Sequence, residues 1–147
     1  MLPVHTILHP TDFSAPSAYA LGLACALARD YGARLIALHV AHVPPVFASE
    51  GMVPPAPEEI RAEAEEQLRQ LPVPQDDVRV ERRLELGDAA GEILRVAAEV
   101  DASLIVMGTH GRTGLGRLLM GSVAEQVVRR AACPVLTVTR PVPIPPK

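Results

Sequence analysis

Short apolar runs alternate with longer segments of helical spacing along this chain of 147 residues, and that alternation limits the fold more than any other feature. Five runs read as strands: Val4 to about Leu8, "RLIALHVA" from Arg34, "VRVERRLELG" from Val78, "SLIVMG" from Ser103 and "PVLTVT" from Pro134. The near-continuous second run suits a parallel strand covered on both faces. The third alternates Val78, Val80, Arg82, Leu84 and Leu86 with polar partners, which predicts a half-exposed strand near an edge. Four helical patterns lie between the runs. Ser14 caps the first, Pro16 sits in its first turn, and Gly32 ends it after Tyr31. A Pro-rich loop, "HVPPVFASEGMVPP", leads to the second, Pro57 to Leu71. Ile60, Ala64, Leu68 and Leu71 form its apolar stripe, and Glu65 and Arg69 are placed to pair. Asp88 caps the third, with Ile93, Leu94, Ala97 and Val100 inward. Ser122 and Glu125 form a capping box that starts the fourth. Strands alternating with helices require right-handed crossovers. The expected fold is α/β, a single doubly wound five-stranded parallel sheet with helices on both faces (Rossmann-like). It occupies residues 1–140, before a Pro-rich tail at 141–147.

Composition narrows the function classes. A net charge of −3 argues against a general nucleic-acid binder, so any anion site must be made locally from amides and a few arginines. No uncharged apolar stretch reaches the roughly 18 residues that span a bilayer. "AYALGLACALA", Ala18 to Ala28, resembles a signal-peptide core but lacks a basic flank, and Pro10 and Asp12 precede it. A buried helix and a cytoplasmic location are expected. Cys25 and Cys133 form no C-x-x-C and read as small buried hydrophobes. His5 with His9, or His39 with His42, lack the carboxylates or cysteines that would make them metal sites.

The stretch "GTHGRTGLGRLLMGS", Gly108 to Ser122, holds five glycines and no acidic residue between a strand and a helix. It fails the Walker test, because Arg117-Leu118 follows Gly116 where a Lys-Ser or Lys-Thr pair is needed. It fails the dinucleotide fingerprint too, because Gly114-x-Gly116 is followed by Leu119. What remains is Gly108-x-x-Gly111, nine residues, then Gly121-Ser122. Gly108 and Gly111 can turn amides inward as an anion nest, and Gly121 would let a phosphate approach the last helix. A tight turn explains any one of these glycines; a ligand accounts better for all of them with the cap. If the first and fourth strands are central neighbours, this loop faces "PTDFS" across the switch point, where such sheets bind ligands.

The glycine pattern, followed by "VAEQVVRRAACPVLTV", resembles the universal stress protein family, and "ILHPTDFSAPSAYAL" and "LIALHV" fit the same family. The resemblance covers nearly the whole chain, and the intact glycine pattern is that of the family's ATP-binding branch. It implies an adenine nucleotide alpha hydrolase-like fold. Pro10, Thr11 and Asp12 would lie beside ribose and adenine, and Val40 would hold the adenine edge through its backbone. Gly108, Gly111, Arg112, Gly121, Ser122 and Val123 would surround the phosphates, with Mg²⁺ carried on them, and Thr109, His110, Thr113 and Gly114 would belong to the same nucleotide site. It also implies a homodimer through strand five, whose apolar edge carries no charge to deter pairing. Plainer roles stay open for three of these residues: Asp12 capping a turn, Arg112 as a solvated charge, His110 as a loop histidine.

The leading expectation is an ATP-binding regulatory protein of the stress response, acting on an unknown protein partner. A slow ATP hydrolase is the enzymatic alternative, although no residue is placed as a base. A nucleotide-free dimeric module conflicts with the intact glycine pattern. A phospho-accepting receiver would need an acidic pair after the first strand and a lysine near the last; Asp12 has Thr11 and Phe13 as neighbours, and Lys147 is in the tail. An ATP-pyrophosphatase would need a Ser-Gly-rich loop where "HPTDFSA" stands.

Overall fold

The computed structural model describes residues 3–44, 53–74, 77–109 and 120–139. Its strands are β1 (Thr6–Pro10), β2 (Arg34–Ala41), β3 (Val80–Leu86), β4 (Leu104–Gly108) and β5 (Val135–Val138). Its helices are α1 (Ala15–Tyr31), α2 (Pro57–Arg69), α3 (Ala89–Glu99) and α4 (Ser122–Arg130). The strands form one sheet in the order β3-β2-β1-β4-β5, and every pairing is parallel. The chain winds outward from β1 to β3, returns to β4 beside β1, and winds outward again to β5. The switch point therefore lies between β1 and β4.

Two apolar layers flank the sheet. Ile7, Leu35, Ala37 and Val106 pack with α1 and α2 through Leu21, Ala24, Cys25 and Leu68. Leu8, Ile36, Leu38 and Ile105 pack with α3 and α4 through Ile93, Val96, Ala124 and Val127. Ile7 and Leu8 take opposite faces because successive strand side chains alternate. Cys25 and Cys133 belong to opposite layers, so the sheet separates them.

The local punctuation behaves as expected at α1. Ser14 accepts the Ser17 N–H, proline occupies the first turn, and Gly32 closes the helix at φ 62°, where a side chain would be strained. Asp88 caps α3 through the Gly91 N–H. β3 is an edge strand, and Arg82 explains its place among the apolar positions. Its guanidinium donates to the Leu68 and Leu71 carbonyls at 3.0 and 3.1 Å, closing the end of α2.

Several boundaries differ from the expectation. β1 runs Thr6–Pro10, two residues later than Val4–Leu8, because it pairs with β2 from Thr6↔Arg34 to Pro10↔Leu38. α2 ends at Arg69, and Gln70 is its C-cap. Glu65 pairs with Arg61, whereas Arg69 pairs with Glu66, since both spacings bring side chains together on a helix. In α3 the buried positions are Ala90, Ile93 and Val96; Leu94, Ala97 and Val100 are half-buried at the margin of the stripe. α4 has Gly121 as its N-cap, so Ser122 lies inside the first turn and the capping box does not form. Glu125 instead pairs with Arg129 at 2.8 Å.

Candidate functional site

The site opens where β1 parts from β4. The Ile105 N–H donates to Pro134 O at 3.0 Å, so Ile105 faces β5. By alternation Leu104 and Val106 face β1. The β1 residue that should next donate to Val106 O is Pro10, which has no N–H. His9 supplies the missing donor: its Nδ1 lies 2.9 Å from Val106 O. A carbonyl only accepts, so Nδ1 carries the hydrogen and Nε2 does not. The ring is fully buried, and Nε2 has no partner among the described residues. Burial, only partly opposed by the Val106 bond and the Asp12 charge, lowers the His9 pKa from 6.5 to about 4. The strands separate at Pro10 without leaving the Val106 carbonyl unpaired.

A crevice of about 340 Å³ lies at this point, within the size range of small-molecule sites. Its apolar wall includes Leu38, Ile93, Met107 and Ala124. Pro10, Thr11, Asp12, Val40, Gly108, Thr109, Gly121, Ser122 and Val123 also line it, so the fold unites every expected site residue that is described. His110, Gly111, Arg112, Thr113 and Gly114 lie outside the described residues, as does the tail 141–147. A larger cavity, about 590 Å³, lies at the amino ends of the strands beside Val4, Leu104 and Leu136. Ligands of doubly wound sheets belong at the opposite, carboxyl end.

Each wall of the crevice has a physical basis. The Thr11 N–H donates to Leu38 O at 2.8 Å, and the Gly87 N–H to Ala41 O at 3.0 Å. Leu38 therefore faces β1 and Ala41 faces β3. Val40 faces the β1 side, beyond the point where β1 ends, so its backbone edge is turned toward the crevice. Asp12 accepts at Oδ1 from the Ser14 N–H (3.0 Å) and the Ser17 hydroxyl (2.8 Å). Phe13 follows at φ 64°, an uncommon conformation for a bulky residue, and its ring lies 4.4 Å from that of His39. His39 Nδ1 donates to Thr11 O at 2.8 Å.

On the far wall, Gly108 has a packing reason to be glycine. A Cβ there would lie 3.2 Å from Pro16 Cβ and 3.3 Å from its carbonyl carbon, so the residue lets α1 approach β4. Thr109 fixes the base of the following loop: its N–H donates to Val138 O (3.1 Å), and its carbonyl accepts the Gly121 N–H (2.7 Å). That second bond anchors Gly121, the N-cap of α4, and the helix follows from Ser122. The first helical bond runs from the Glu125 N–H to Gly121 O. The N–H groups of Ser122, Val123 and Ala124 thus have no carbonyl partner within the helix and sit at its positive end.

The sequence leaves Ser17 without a role, and it offers His9 and His39 only as metal ligands, a reading rejected above. Ser17 is hidden because Ser14 already accounts for the cap. His9 does leave a signal, an imidazole and a proline ending a core strand, but its partner is 97 residues away.

This fold and crevice define a doubly wound α/β protein with an open crevice at its switch point. Residues 3–139 match the universal stress protein family, and the chain belongs to it. A universal stress protein of Methanocaldococcus jannaschii is 37% identical over 139 residues, covering 92% of this chain and 82% of that protein. A crystal structure from the family in Burkholderia pseudomallei is 34% identical with a TM-score of 0.70, covering 90% of this chain and 94% of the other. A universal stress protein solved in complex with cAMP is 27% identical with a TM-score of 0.62, covering 92% and 97%.

Proposed function

We propose that this chain binds ATP in the β1–β4 crevice and acts as a nucleotide-dependent regulatory protein of the stress response. One observation carries the reading: a carboxylate, the β2 backbone edge beyond the end of β1 and the amide-rich start of a helix line the same crevice. Asp12 would orient the ribose, the Val40 backbone would meet the adenine edge, and the α4 amides would hold the phosphates. The 27%-identical relative in complex with cAMP supports the adenine-nucleotide class. Gly111 and Arg112 would complete the phosphate site. Mg²⁺ would be carried by the phosphate oxygens, because hard oxygen ligands suit it. Bound Mg²⁺ would offset phosphate charge.

The remaining parts of the reading are a cytoplasmic homodimer paired through β5 and a separate protein partner. β5 is an edge strand, and Leu136 on it is 39% exposed. No described helix is long and apolar enough to cross a membrane. Calorimetry tests the site. Gly121 has φ −61° and ψ 154°, which valine can adopt, so Gly121→Val should fold and obstruct the phosphates. ATP affinity should fall at least about tenfold, or roughly 1.4 kcal/mol. Equal affinity in both proteins overturns the phosphate assignment.

A further inference from the structure

We infer that Ser17 is a positioning residue of the nucleotide site, fixing the Asp12 carboxylate; this rests on the function proposed above. Ser17 is buried, 5% exposed, and lines the crevice. Its hydroxyl donates to Asp12 Oδ1 at 2.8 Å. It accepts from the Asp12 N–H and from the Ser14 hydroxyl, both at 3.3 Å. A serine hydroxyl has one hydrogen and two lone pairs, so all its bonding capacity is used within this turn. Ser17 therefore has no donor left for a ligand and acts only through Asp12.

The geometry is more than a helix cap. Capping of α1 is done by Ser14, whose hydroxyl accepts the Ser17 N–H at 3.3 Å. That bond uses the Ser17 backbone, and alanine would keep it. The Ser17 side chain instead gives Oδ1 a second donor beside the Ser14 N–H. Two donors on one oxygen fix the plane of the carboxylate. A freely rotating carboxylate would have to be ordered when ribose binds; one already held loses less freedom on binding.

A double-mutant cycle tests this with ATP calorimetry on wild type, Ser17→Ala, Asp12→Ala and the double variant. Ser17→Ala should weaken ATP about tenfold when Asp12 is present. In the Asp12→Ala background it should change affinity by no more than about twofold. In the ligand-free protein, Ser17→Ala should also move the Asp12 carboxyl titration upward by carbon-13 NMR, because a donor to the charged form is gone. Urea melts confirm that Ser17→Ala folds. If wild type binds ATP but the Ser17→Ala loss is absent or equal in both backgrounds, the positioning role is wrong and the function stands. If Asp12→Ala binds too weakly to measure, an unmoved Asp12 titration overturns the role. If wild type binds no ATP, the function itself fails and this inference with it.

Discussion

His9 makes the structure's sharpest energetic claim. His9→Phe keeps a flat ring in the β1 core and removes the donor to Val106 O. Leaving that buried carbonyl unpaired should cost about 1–3 kcal/mol near neutral pH. The wild-type ring carries a second consequence. Its folded pKa, about 4, lies below the unfolded value of 6.5, so between these values the unfolded chain binds the extra proton. Wild-type stability from this group is complete above pH 6.5 and falls as pH falls toward 4. By pH 5 the loss is about 2 kcal/mol, and phenylalanine cannot share it. Urea denaturation at pH 7.5 and 5.0 should therefore show wild type ahead at the higher pH and its advantage smaller by about 2 kcal/mol at the lower. Other groups titrate in both proteins and cancel in the difference. A gap that stays constant between the two pH values refutes the buried neutral imidazole. As a control, Pro10→Ala restores a backbone N–H opposite Val106 O, so His9→Phe should cost less in that background.

Two further outcomes follow from the site and the sheet edge. The proposed role is nucleotide-dependent regulation, so steady-state ATP turnover should fall well below about 1 per second; faster phosphate release overturns the regulatory reading. Leu136→Asp should shift a β5-paired dimer to monomer by light scattering at micromolar concentration, because it puts charge on an exposed edge position. A dimer mass unchanged by Leu136→Asp would place the interface elsewhere. Leu136 serves as the probe because Val138 on the same strand is 7% exposed and packs in the α1 layer.

The sequence alone determined the class of fold and much of its punctuation. Alternating apolar runs and helical stripes specify strand–helix repeats, and Ser14, Gly32 and Asp88 mark ends through bonds that reach only a few residues. The glycine pattern with the "PTDFS" turn marked both walls of the crevice, and the family resemblance named them. Only the tertiary structure decided the rest, because backbone partners come from strands distant in the chain. Val40 is turned to the crevice because β1 stops opposite Leu38. Gly121 is held as the α4 N-cap because Thr109 binds its N–H, and Gly108 is glycine because α1 approaches it at Pro16. His9 stands in for the N–H that Pro10 lacks, toward a carbonyl in β4. Local rules of propensity and capping act over about one turn; each of these outcomes depends on which element the sheet places alongside.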